Sequence, residues 1–229
     1  MPSDRFHAHP GLFLVLEGPD GAGKTTQAKR LAEWLVGRGF EVVTCRDPGG
    51  TALGDRLRSI LQDRESVPIC MRAEMLLYMA SRAELADEVI APALAAGKIV
   101  ISDRYLLSNI VYQGSAGGLV EEEIALVGLA ATSGLLPDLT IVLDIAPAEA
   151  TARIGAPRDR IEDRPLFYRE RVRAGYLAAA QGRDAHGREE SAGSSIYPAP
   201  ILLVDASADS DTVFTRIQRA VEQSLSSRG

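Results

Sequence analysis

A short apolar run, Phe13-Leu14-Val15-Leu16-Glu17, leads directly into Gly18-Pro19-Asp20-Gly21-Ala22-Gly23-Lys24-Thr25-Thr26 and then into helix-forming sequence. A G-x-x-x-x-G-K-T spacing between a strand and a helix is a phosphate-binding loop in the setting it requires. Glycines let the backbone turn tightly and aim successive N–H groups at phosphate oxygens, and the N-terminus of the next helix adds partial positive charge. Lys24 is expected to reach the β- and γ-phosphates of a nucleotide, and Thr25 to hold Mg²⁺. The helix that must follow is written as Ala28, Leu31, Ala32 and Leu35, at i, i+3, i+4, i+7, before Gly37 and Gly39 end the run.

With 229 residues and ordinary apolar and charged content, the chain is long enough to bury a sizeable core as one domain. A net charge of −6 argues against a nucleic-acid partner, for which a basic stripe is expected. Positive charge gathers instead between Arg153 and Arg173. The two cysteines, Cys45 and Cys70, have no metal-ligand spacing, read as buried or half-buried thiols, and fit a reducing cytoplasm. No apolar run of membrane-spanning length occurs, and Ser3, Asp4, Arg5 and His7 break any signal peptide, so residues 1–10 read as a flexible polar leader to a soluble chain.

Four further strands are predicted at Glu41–Cys45, Lys98–Ser102, Leu139–Asp144 and Ile201–Val204, all without alternation and so buried on both faces. Between them, Arg72–Ala96 has a helical pattern with Leu76, Met79, Ala83, Ala86 and Ile90 on one side, and a closing helix spans about Asp211–Leu225. Alternating strands and helices predict an α/β fold with a five-stranded parallel sheet, ligands lying beyond its carboxyl edge. Residues 181–200 lack periodicity and read as a long flexible loop.

A phosphate loop alone does not choose between a kinase, a nucleotide-dependent switch and a motor. The strand Ile99-Val100-Ile101 ends in Ser102-Asp103-Arg104-Tyr105, placing a carboxylate and a guanidinium together at a strand terminus. Asp103 can hold Mg²⁺ through water. Arg104 offers the planar fork that suits a second phosphate. No N-K-x-D motif supports a guanine-reading switch.

Taken together, Gly18 to Thr26 with Asp20 inside the loop, Arg46-Asp47-Pro48-Gly49-Gly50-Thr51, Tyr78-x-x-x-Arg82 and Asp103-Arg104-Tyr105-x-x-Ser108-Asn109-x-x-Tyr112-Gln113-Gly114 resemble the bacterial thymidylate kinases over nearly the whole chain from Gly11. The resemblance implies a P-loop nucleoside-monophosphate kinase that transfers the γ-phosphoryl of Mg-ATP to dTMP, and a homodimer. It implies that Tyr78 stacks on thymine and that Arg82 donates to the exocyclic oxygen. Arg46, Pro48, Ser108, Asn109, Tyr112 and Gln113 then belong to the acceptor site, with Arg104 on its phosphate. Asp20, otherwise out of place in an anion-binding loop, would contact the 3′-hydroxyl and the metal. A kinase for another deoxynucleoside monophosphate remains the alternative within the class.

The segment around 153–165 corresponds to that family's lid. Several guanidinium groups suit a phosphoryl-transfer transition state, in which negative charge spreads over equatorial oxygens. One branch of the family places an arginine inside the P-loop where this chain has Gly21, so the lid must supply the charge. Gly155 stands where an arginine often appears, leaving Arg158 and Arg153 as rival catalytic groups, with Arg160 expected on the nucleotide phosphates.

Overall fold

A computed structural model describes residues 9–63, 67–154, 161, 163–182 and 196–226. The expected leader falls almost wholly outside these, as do most of the 181–200 loop and both Arg158 and Arg160. Strand β1 (Leu12–Glu17) is followed by α1 (Lys24–Gly37), β2 (Val42–Arg46), α2 (Ala52–Gln62) and α3 (Met71–Leu85). A π-helical turn at Ala86–Ile90 joins α3 to α4 (Ala91–Ala95), and β3 (Ile99–Asp103) follows. Next come α5 (Leu106–Asn109), a second π-helical stretch at Ile110–Ala116, α6 (Glu121–Ala131), β4 (Leu139–Asp144), α7 (Pro147–Ile154), α8 (Leu166–Ala180), β5 (Ile201–Asp205) and α9 (Ser210–Ser226).

All five strands are parallel, in the order β2-β3-β1-β4-β5. The chain leaves central β1 for the edge at β2, returns through β3, then crosses to β4 and β5. Such a reversal opens a crevice at the carboxyl ends of the central strands. Register completes it: Leu16 pairs with Asp103, and Asp103 with Arg46. Three charged groups, Glu17, Asp103 and Arg46, therefore end neighbouring strands beside the phosphate loop.

Sheet pleating sends β1 side chains alternately to two cores. Phe13 and Val15 pack with Val100, Val142 and the α3 side, including Met75 and Met79. Leu12, Leu14 and Leu16 pack with Ile101, Ile141 and the faces of α1 and α9, where Leu31, Leu35, Val213, Ile217 and Val221 lie. Each fully buried aliphatic side chain contributes about 1.5–3 kcal/mol, which makes the central strands a rigid base for the loops above them.

Three expectations need correcting. Burial on both faces holds for β1, β3 and most of β4, but β2 and β5 are edge strands and remain half exposed. On the long helix Leu76 points to solvent, 49 % exposed, and Met75 takes the core position instead. Cys70 is exposed at the start of α3, whereas Cys45 is half-buried as expected.

Candidate active site

Past β1 the backbone takes a left-handed conformation that favours glycine. Gly21 has φ +83°, and a Cβ there would lie 2.4 Å from the Ala150 carbonyl oxygen on α7. An arginine at this position would thus require α7 to shift, and this loop must hold phosphate without one. Lys24 is buried, and its Nζ donates to Pro19 O at 2.9 Å, curling back over the loop. Burial and the nearby Arg104 charge lower its pKa to about 8 against the pull of Asp20, Asp103 and Glu17. An ammonium this poorly solvated has a strong electrostatic demand for an anion. Thr25, in the first turn of α1, donates from Oγ1 to Asp103 Oδ2 at 2.5 Å.

Arg104 follows β3 with φ +74°, a left-handed conformation that costs a non-glycine residue of order 1 kcal/mol and points to a functional constraint. Its amide is fixed to Leu16 O at 2.9 Å. The guanidinium donates to Gly18 O and Ser108 Oγ at 3.1 Å, to the Tyr112 and Tyr176 hydroxyls at 3.3 Å, and to Asp20 Oδ1. Burial opposes its charge, but Tyr112, Asp20, Tyr176 and Glu17 more than offset that and raise the pKa well above the ordinary value. For Asp20, burial acts upward, yet Arg104, Lys24 and hydrogen bonds from Arg104 and Tyr112 hold the carboxyl below its usual range.

Sequence reasoning missed what holds Arg104. Glu17, fully buried at the end of β1, accepts from Tyr105 N at 2.8 Å, Ser108 N at 3.1 Å, Ser108 Oγ at 2.6 Å and Tyr176 Oη at 2.9 Å. The only signal was a carboxylate closing an apolar strand. It ties β1, the start of α5 and α8 into one support beneath the guanidinium.

A cavity of about 1130 Å³ opens over these groups. On one side it is lined by Lys24, Thr25, Thr26 and Asp103, on the other by Arg46, Pro48, Tyr78 and Arg82, with Asp20 and Arg104 between and Ser108, Asn109, Tyr112 and Gln113 closing it. Arg153 and Ile161 reach it from the lid side. Of the expected loop residues, Gly18, Pro19 and Ala22 are buried and do not line the cavity, and the Gly18 and Pro19 carbonyls accept from Arg104 and Lys24.

Tyr78 is half-buried, and burial together with the Glu74 carboxylate pushes its phenol above the ordinary range. Arg82, one turn on, is only 1 % exposed. Its Nε donates to Asp47 Oδ2 at 2.5 Å, its Nη2 to Tyr105 O at 3.1 Å, and its Nη1 faces Met79 Sδ at 3.0 Å. Asp47, also missed as a site residue, is buried with Oδ1 unpartnered; burial raises its pKa although Arg82 opposes. Arg46 is exposed and lies 3.3 Å from Asp55. Arg153, although it borders the cavity, is already engaged by Ala206 O at 3.0 Å and Glu149 at 2.7 Å.

A sequence profile of the family described as thymidylate kinase matches residues 16–196. The chain belongs to the thymidylate kinase family. It is 41 % identical over 216 residues to the thymidylate kinase of Caldanaerobacter subterraneus subsp. tengcongensis, covering 94 % of this chain and 97 % of that one. The thymidylate kinase of Leifsonia xyli subsp. xyli is 43 % identical over 221 residues, 95 % of this chain and 96 % of its own. That of Exiguobacterium sibiricum is 38 % identical over 221 residues, 95 % and 97 % of the two chains. The family membership agrees with the five-stranded parallel sheet and places the fold with the P-loop kinases.

Proposed function

We propose that this chain phosphorylates dTMP to dTDP with Mg-ATP, in a single kinase domain running from residue 11 onward. The observation that carries this reading is the shared cavity: the phosphate loop and the Tyr78–Asn109 pocket open into one space, with Arg104 and Asp20 at the boundary. ATP would place its phosphates on the loop amides and Lys24, and dTMP would place its base beside Tyr78 and its phosphate at Arg104. Phosphoryl transfer asks mainly for positioning and electrostatic stabilisation, which this arrangement supplies.

Base identity is supported by hydrogen-bonding chemistry. Asn109 is 1 % exposed, lines the cavity, and its Oδ1 has no partner. A buried carbonyl in that state calls for a donor from the ligand. Thymine has one ring donor, the N3–H, next to a 4-oxo group that suits the Arg82 guanidinium.

Thr25 and Asp103 fit Mg²⁺, which typically uses one or two protein oxygens besides phosphate and water. When bound, Mg²⁺ neutralises charge on the transferring phosphates. Asp20 positions Arg104 and takes the acceptor 3′-hydroxyl. Because Arg153 is committed to α9's entry loop, the lid's catalytic charge falls to Arg158, with Arg160 on the ATP phosphates.

No described helix is long and apolar enough to cross a membrane, and a cytoplasmic location suits a nucleotide kinase. Homodimerisation is supported by exposed apolar side chains on three helices that pack side by side, α3 lying against both α2 and α6: Ile60 on α2 at 46 %, Leu76 on α3 at 49 % and Leu126 on α6 at 69 %.

The deciding experiment is a coupled phosphoryl-transfer assay across dTMP, dUMP, dCMP, dGMP, dAMP and UMP. A clear dTMP preference is expected. Equal or greater turnover of another monophosphate contradicts the reading.

A further inference from the structure

Behind the base pocket lies a line of three buried side chains outside the reacting groups. Glu74 on α3 is 1 % exposed, Gln113 in the second π-helical stretch 2 % and Asn109 1 %. Gln113 Nε2 donates to Glu74 Oε1 at 2.9 Å, and Gln113 Oε1 accepts from Asn109 Nδ2 at 3.0 Å. On its far side Glu74 accepts from Arg164 Nη2 through both oxygens, at 2.7 and 2.8 Å.

An amide can present its oxygen or its nitrogen after a half-turn, and nothing in its shape chooses between them. A carboxylate facing a cation can only accept. Glu74 therefore requires the NH₂ of Gln113 to face it, which turns the Gln113 carbonyl toward Asn109. Only a donor can meet that carbonyl, so the Asn109 NH₂ points inward. That leaves its oxygen, Oδ1, buried without a partner in a residue that borders the cavity. We propose that Glu74, through Gln113, is a specificity-positioning residue that fixes Asn109 with its acceptor toward the base and so selects an N3–H pyrimidine over one whose N3 is itself an acceptor.

The inference rests on the dTMP reading above, and the two fail separately. If the wild-type protein does not turn over dTMP, the reading fails; if it does, the variants below decide the relay alone.

The measurement is the ratio of kcat/KM for dTMP to that for dCMP. Any mismatch between Arg82 and the cytosine amino group is the same in wild type and variants, so a change in ratio reports Asn109. Glu74→Gln can donate or accept, which frees both amides to rotate, and the ratio is expected to fall by about tenfold or more. The exchange Glu74→Gln with Gln113→Glu restores an acceptor-only group opposite Asn109 and should return the ratio to within about threefold of wild type. A merely structural role would lower both nucleotides together and leave the ratio in place. If Glu74→Gln does not fold, Gln113→Met, which removes the acceptor facing Asn109, is read in the same way. An unchanged ratio in the folded single variant, or a ratio still depressed in the exchange, overturns the proposal.

Discussion

Thr25 Oγ1 donates to Asp103 Oδ2 across 2.5 Å, joining the first turn of the phosphate-loop helix to the carboxyl end of β3. The two residues are 78 positions apart and meet because Leu16 and Asp103 are in register on paired strands. Asp103→Asn keeps the shape and removes the charge. It should raise the Mg²⁺ concentration for half-maximal activity about tenfold and lower kcat by roughly a hundredfold, as for loss of one preorganised charge at such a site. Magnesium titrations of wild type and variant check this, and overlapping curves would remove Asp103 from the metal site.

Arg82 and Asp47 form an ion pair that is 1 % and 0 % exposed. Removing one partner of a buried pair leaves the other charge uncompensated, at a cost of about 3–5 kcal/mol. Arg82→Ala should therefore lose stability on that scale as well as affinity for dTMP, and Asp47→Asn in the same protein should recover part of the stability. Urea denaturation gives both numbers. A loss under about 1 kcal/mol for Arg82→Ala would mean that the pair is not buried in solution.

Glu17 stands behind Arg104 rather than in the cavity. Glu17→Gln replaces one acceptor oxygen by a donor facing groups that already donate, so about 1–3 kcal/mol of stability should be lost. Because Ser108 and Tyr176 also bond Arg104, the dTMP KM should rise while that for ATP changes little. An equal rise for both nucleotides would show that Glu17 supports the fold without aiming Arg104.

The cysteines should react very differently. Cys45 lies at the end of edge strand β2, and burial raises its thiol pKa to about 11, with Asp47 and Asp103 adding to the rise against a hydrogen bond from Ser102. Thiolate is scarce there at neutral pH and grows as pH climbs toward that value. Cys70 is exposed. Iodoacetamide at pH 7.5 should label Cys70 first, with Cys45 following as pH is raised; equal rates at pH 7.5 would contradict the burial of Cys45.

Residues that act through local spacing were legible in the chain. Gly18 to Thr26 declares a phosphate loop because the backbone itself binds, and Asp103-Arg104 declares a strand end because an apolar run stops there. Asn109 and Gln113 were readable as neighbours one helical turn apart, and they are hydrogen-bonded to each other. Illegible were the groups whose meaning comes from pairing across the fold. Glu17 meets Tyr176 from 159 positions away, and Glu74 meets Arg164 from 90; no local pattern distinguishes such a carboxylate from a surface one. Edge position misled the burial of β2 and β5, since strand order is a tertiary property that apolar runs do not encode.

The central claim is that donor and acceptor nucleotides occupy one cavity and that transfer needs both. The most direct measurement is ADP release from Mg-ATP by the purified protein with and without dTMP, together with the yield of dTDP. The account predicts stimulation by dTMP of about a hundredfold or more, since an acceptor held in line turns a bimolecular step into an effectively unimolecular one, with one dTDP formed per ADP. ADP release at the same rate without dTMP, or without dTDP appearing, would contradict it.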